Sequence, residues 1–215
     1  MFSLNAFQKQ YQTDATDVVV AEQKFHLLVP RCIERFIDPR DPLRNFPLWS
    51  KIWLSSLILA DYLARQPVDP AKRFLEIGAG VGLVSIVAAR RGHVFTLTEH
   101  DPHALDFARA NAQLNKCYEL DIRSLDWCAP DLEESFDYIV GSEVLYDQRV
   151  FPPLSKLFKN VLRPDGTVIL AGETRKTDMA FYKVMQPHFH IRIEKRGLRS
   201  EKENTRINLF KMTLK

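Results

Sequence analysis

Few cysteines, no long apolar run and almost no net charge each remove a class of protein from consideration. Three cysteines, Cys32, Cys117 and Cys128, stand among 215 residues. The number is odd and no Cys-x-x-Cys pair occurs, which excludes a disulfide framework or a cysteine zinc site and fits the reduced thiols of a cytoplasmic protein. The longest apolar stretch, IWLSSLILA at residues 52–60, is too short to span a bilayer. The first residues, MFSLNAFQKQYQTDATD, lack the cationic and then apolar pattern of an export signal. Thirty Lys and Arg against 27 Asp and Glu leave a net charge of +3, so neither nucleic acid nor a membrane surface is expected as a partner. The locally basic residues 192–215 read as a solvated face around closing strands. Six histidines form no i, i+4 pair and join no Cys or acidic cluster, so no metal is expected.

What remains is an ordinary globular composition, 46% hydrophobic and 27% charged, in a chain sized for a single domain over residues 1–215. Residues 17–29 predict a β-hairpin around the polar Glu22-Gln23-Lys24. Pro30, Pro39, Pro42 and Pro47 then forbid a long regular element, so residues 1–50 form a hairpin and proline-rich extension. Apolar positions Leu54, Leu57, Ile58 and Tyr62 predict a helix over residues 53–65. From Arg73 onward strands and helices alternate. Strands are predicted at 73–77, 93–99, 118–125, 137–146 and 167–173, with an antiparallel pair at 190–196 and 206–214. Helices are predicted at 81–92, 103–115, 152–162 and 177–186, the second opened by an Asp101 N-cap and Pro102. The expected fold is therefore α/β, doubly wound: a mostly parallel, seven-stranded, Rossmann-like sheet with an antiparallel C-terminal pair. In such sheets ligands bind at the carboxyl ends of the central strands.

The bend LEIGAGVGL sits at such an end. A dinucleotide fingerprint from Gly78 wants glycines at 80 and 83, but position 83 is Leu and the third glycine is Gly82. The spacing is Glu-x-Gly-x-Gly-x-Gly, from Glu76. A carboxylate at Glu76 repels a pyrophosphate and suits a ligand with an ammonium and a sulfonium, which points to S-adenosylmethionine. Glu99, ending the second strand, stands where an acid accepts from ribose hydroxyls. After the third strand, Asp126 is placed to accept from an adenine amine and Trp127 to cover the ring.

These segments, with GSEVLYD and PLWSKIWLSSLILADYL, resemble the seven-β-strand protein-lysine methyltransferases over most of the chain. The resemblance implies transfer of methyl from S-adenosylmethionine to a lysine amine of a protein substrate, leaving S-adenosylhomocysteine. It implies that Trp53 lies against the cofactor, and that Ala79 between the glycines, His100 after Glu99, and Ser142 belong to the same set as Glu76, Gly78, Gly80, Gly82, Glu99, Asp126 and Trp127. Glu143 and Tyr146 match an acid-x-x-Tyr motif and are the expected acceptor rim, orienting an amine that must first lose a proton. The chain departs from the pattern in two places. Leu54 follows the tryptophan where many members carry a small residue or Pro, and the motif acid is Glu where Asp is commoner. Two other functions fit the same residues: methylation of a small-molecule amine, and a non-catalytic interaction module. A nucleic-acid methyltransferase is disfavoured because SEVL stands where an Asn/Asp-Pro-Pro-aromatic tetrad belongs. A monomer is expected.

Overall fold

The computed structural model describes residues 2–40, 46–199 and 204–215; Pro42 and residues 200–203 fall outside that set. A helix that the sequence pattern did not suggest comes first, α1 (Leu4–Gln10). Ser3 caps it by accepting from the Ala6 N–H. Phe7 and Tyr11, four residues apart and both buried, turn one face inward. The hairpin follows, β1 (Thr13–Val20) and β2 (Gln23–Pro30). It is longer than expected and turns on Ala21 and Glu22, whose φ of 46° and 66° suit the two-residue turn that matches strand twist.

The central units are α2 (Leu54–Ala64), β3 (Arg73–Glu76), α3 (Leu83–Arg91), β4 (Val94–Glu99), α4 (Pro102–Leu114), β5 (Asp121–Ser124), β6 (Phe136–Ser142), α5 (Phe151–Val161), β7 (Leu162–Glu173), α6 (Asp178–Met185), β8 (Phe189–Arg199) and β9 (Asn204–Leu214). Seven strands form one sheet in the order β5-β4-β3-β6-β7-β9-β8. β3, β4, β5, β6 and β7 run parallel, whereas β9 lies antiparallel between β7 and β8. The Rossmann-like sheet and its antiparallel pair are thus as expected, with the last strand inserted beside β7.

Residues alternate strictly across the sheet. Phe74, Val140, Ile169, Ala171, Ile207 and Leu209 pack with α2 and α3; Leu75, Ile139, Val168, Leu170, Phe210 and Met212 pack with α5 and α6. Two strands are shorter by several residues than the apolar pattern suggested. β5 begins only at Asp121, after a turn with Lys116 at φ 59° and an exposed Tyr118. β6 stops at Ser142, because Glu143 adopts a left-handed φ of 54°. The Arg163-Pro-Asp-Gly segment does not close α5 as a loop. It forms an irregularity inside β7, between the pairings Phe136↔Leu162 and Tyr138↔Thr167.

The hairpin is tied to the domain by two asparagines on one face of α4. Asn111 accepts the Leu28 N–H at 2.7 Å and donates to the carbonyls of Leu28 and Val81. Asn115 accepts from the His26 N–H and donates to the His26 carbonyl. Spaced four apart, they satisfy the outer edge of β2 as a neighbouring strand does.

Candidate active site

A cleft of about 490 Å³ opens over the carboxyl ends of β3, β4 and β6, within the range of small-molecule sites. Its floor is the turn after β3. Gly78 and Gly80 take φ of 60° and 56°, a region open to glycine without cost. Close approach requires glycine as well. A Cβ on Gly80 meets the Trp49 carbonyl oxygen at 3.1 Å, and one on Gly78 meets Val144 at 3.0 Å and Trp127 at 3.1 Å.

Trp49 belongs to the segment before α2, which runs across the turn as a strap. Its indole N–H donates to Asp101 Oδ2 at 3.0 Å, and its ring packs on Phe36 and Phe107 at centroid distances of 5.0 and 5.5 Å. Trp53 caps α2 and donates to the Leu48 carbonyl at 2.9 Å, with the Lys51 ammonium 4.8 Å from its ring centroid. Trp53 and Lys51 both line the cleft.

Glu99 closes the donor side. Its Oε2 accepts the Gly80 N–H at 2.9 Å and its Oε1 accepts from His100 at 2.6 Å and Asp101 at 3.1 Å. Burial pushes this carboxyl up from its ordinary value, while the three N–H donors pull it back toward the ionised form. Asp126 accepts the Cys128 N–H at 2.8 Å, a local turn that orients the loop. Trp127 lies against Gly78 and is also part of the core on the α5 side, so it packs and lines at once.

Eleven of the thirteen residues expected at the site line this cleft: Trp53, Gly78, Ala79, Gly80, Glu99, His100, Asp126, Trp127, Ser142, Glu143 and Tyr146. Glu76 and Gly82 do not. Glu76 is 1% exposed and turns beneath the glycine bend, where its Oε2 accepts the Ser85 N–H at 2.9 Å and the Ser85 hydroxyl. Burial pushes its carboxyl up to about 8, against the lowering effect of the Ser85 donors and with a small raise from Glu99. It braces β3 against the first turn of α3, and the acids that do line the cleft are Glu99, Asp101, Asp126 and Glu143. Gly82, at φ 89°, faces Leu97, Ala108 and Ile86, so it serves the packing of α3 on β4 and α4.

Glu143 and Tyr146 both line the cleft. Tyr146 is 46% exposed. Partial enclosure raises its hydroxyl pKa, with Glu99 and Asp147 adding to the effect, so it remains a neutral donor at physiological pH. Sequence reasoning did not place Trp49, Asp101 or Lys51 in the site. Asp101 was legible only as a helix cap, a role it does fill by accepting from His103 and Ala104. Arg175, which pairs with Glu143 at 2.5 Å, left no local signal because 32 residues separate the two. Among the described residues no group of three or more metal-ligating side chains clusters, and no helix is long and apolar enough to cross a membrane.

This strand order, with one antiparallel strand next to last and an acid-lined cleft over a glycine turn, defines a class I methyltransferase. The chain belongs to the lysine methyltransferase family, whose profile matches residues 46–188. It is 30% identical over 163 residues to Protein N-lysine methyltransferase METTL21A of Xenopus tropicalis, covering 72% of this chain and 75% of that one. It is 28% identical over 170 residues to EEF1A lysine methyltransferase 3 of Mus musculus, covering 75% and 71%. Among solved structures, magnesium protoporphyrin IX methyltransferase of Synechocystis PCC 6803 with bound SAM superposes with a TM-score of 0.59 over 74% of this chain and 77% of that one, at 18% identity. S-adenosylmethionine is the cofactor, and the cleft suits it in chemistry: an acidic residue at the end of β4, a tryptophan beside the glycine turn, and further carboxylates in the lining.

Proposed function

We propose that this chain methylates a lysine side chain of a protein partner, in the cytoplasm. The observation that carries the reading is that Glu143 and a half-exposed Tyr146 line the cleft whose floor is the glycine turn. Two lining residues, Tyr146 and Phe46, are more than two-fifths exposed, at 46% and 44%. An acceptor held on a large surface reaches such a rim with one extended side chain, whereas a small amine calls for closure on all sides. The relatives named as protein-lysine methyltransferases support the same reading, and three free cysteines suit a reducing compartment.

When bound, the sulfonium supplies an electrophilic methyl group. The chain's own part is to hold the amine in line, strip water and accept an N–H from it. Free lysine has a pKa of about 10.4, so the ammonium first gives its proton to solvent; the freed lone pair then forms the N–C bond as the S–C electrons remain on sulfur. Exclusion of water and correct alignment supply much of the rate. Glu143 sits in the cleft lining with a left-handed backbone, φ 54°, of the kind that fixes the direction of a side chain at functional sites.

Tritiated S-adenosylmethionine incubated with the enzyme and a cell extract tests the reading. Label in one or a few protein bands is the expected result. Label confined to the small-molecule fraction sinks it in favour of a small-amine acceptor, and cofactor binding with no methylation of anything favours a non-catalytic module.

A further inference from the structure

Glu143 does not present a bare carboxylate to the cleft. Its side chain is 7% exposed. Oε1 accepts the Glu173 N–H at 3.1 Å, and Oε2 accepts an N–H from the Arg175 guanidinium at 2.5 Å. The segment that carries Arg175 is fastened on both sides. The Arg175 backbone N–H donates to Asp178 Oδ2 at 3.2 Å, the Thr177 hydroxyl to the Leu145 carbonyl at 3.3 Å, and the Thr174 N–H to the Arg206 carbonyl at 3.1 Å. The loop after β7 is therefore stitched to the Glu143–Tyr146 segment, and Arg175 supplies the charged part of the seam.

The chemistry of the acceptor gives this pairing a purpose. An amine attacks only as the neutral base, and a lone carboxylate beside it, shielded from water, favours the ammonium and raises its pKa by one or more units. A carboxylate already paired with a guanidinium exerts little net field, yet its oxygens keep lone pairs for an N–H. The other charged groups around Glu143 do not do this work. Asp178 is engaged by Arg175 and Asn208, and Asp147 is paired with Arg149 at 2.6 Å. Glu173 offers its backbone and has an exposed side chain. Glu99, Asp101 and His100 also line the cleft, the first two accepting from backbone and indole N–H groups, and Lys51 lies over Trp53. Among the described residues Arg175 is the cation within ion-pair distance of Glu143.

We propose that Arg175 is a positioning residue: it aims the Glu143 carboxylate and cancels its charge, so that the acceptor lysine meets a hydrogen-bond acceptor in place of a net anion. The proposal rests on the lysine reading above and adds to it a residue that sets the working pH.

The test compares full-length wild-type protein with Arg175→Gln and Arg175→Lys. Each is incubated with tritiated S-adenosylmethionine and one extract from cells lacking the enzyme, across pH 6.5 to 9.5, and methyllysine is quantified in the digested protein. Arg175→Gln keeps the backbone bond to Asp178, and calorimetry with S-adenosylhomocysteine confirms an intact donor site. The expected result is that Arg175→Gln shifts the rising limb of the pH profile up by about one unit. Incorporation then falls about tenfold at pH 7 and recovers toward pH 9, while Arg175→Lys keeps the wild-type profile. A uniform loss at every pH, or a profile superposing on the wild type, overturns the proposal alone. A wild-type digest without methyllysine overturns the acceptor reading and the proposal with it.

Discussion

Glu76 is the residue whose position changed most between sequence and structure, and replacing it with Gln tests why. Its carboxyl lies 1% exposed, and burial pushes its pKa to about 8 from an ordinary 4.5. The fold therefore accommodates the neutral acid, whereas the unfolded chain ionises above about 4.5. The sign follows: the stability Glu76 supports is fully present below pH 4.5 and is lost as pH rises through about 8, because the unfolded state releases its proton first. The loss runs at about 1.4 kcal/mol per pH unit, or about 3 kcal/mol between pH 5 and pH 7. Glutamine does not titrate, and its amide oxygen still accepts the Ser85 N–H and hydroxyl. Urea unfolding of wild type and Glu76→Gln, followed by tryptophan fluorescence at pH 5, 6, 7 and 8, isolates the effect, since other titrating groups largely cancel in the difference. The stability of Glu76→Gln relative to wild type should climb by about 3 kcal/mol from pH 5 to pH 7. Parallel pH profiles, whatever their constant offset, refute the reasoning and mean that Glu76 is ionised in the fold.

Substitutions at three further positions have definite expectations. Gly80→Ala places a Cβ 3.1 Å from the Trp49 carbonyl at a φ of 56°; the left-handed backbone alone costs about 1–2 kcal/mol, and the displaced strap should weaken cofactor affinity by about tenfold or more in calorimetry. An unchanged affinity means the strap does not seat on the turn. Glu143→Gly and Glu143→Ala both lose the Arg175 pair, but only glycine relaxes the φ of 54°, so the Gly variant should unfold at about 1 kcal/mol higher free energy than the Ala variant; equal stabilities argue against strain at this position. Tyr146→Phe removes one hydroxyl from the exposed rim, so turnover on protein acceptor should fall about tenfold while cofactor affinity holds. An unaltered rate removes Tyr146 from the acceptor site.

The architecture was legible in the sequence because strand and helix periods alternate cleanly and proline, glycine and Asp101-Pro102 mark the joins. The same local logic brought the glycine turn, Glu99, Trp127 and the Glu143–Tyr146 segment to one cleft. It misplaced Glu76 and Gly82, since a pattern shows that an acid precedes the turn and a glycine follows it, not which way either faces. Glu76 finds Ser85, the third residue of α3, and a buried carboxyl satisfied there has no reason to reach for a ligand. The helix α1 was missed although Ser3 caps it, because its inward face is short, Leu4, Phe7 and Tyr11, and depends on Phe107 of α4 for burial. Arg175 was beyond reach for the same physical reason: its meaning comes from a loop that the sheet carries back to Glu143.

The most direct measurement supplies S-adenosylmethionine with a deuterated methyl group to the wild-type protein and an extract lacking it, and locates the heavy methyl by tandem mass spectrometry. A heavy methyl on the Nζ of a lysine in one or a few proteins, lost when Gly80→Arg blocks the turn, is the expected result. A heavy methyl found on arginine, on a small molecule, or on no acceptor contradicts it.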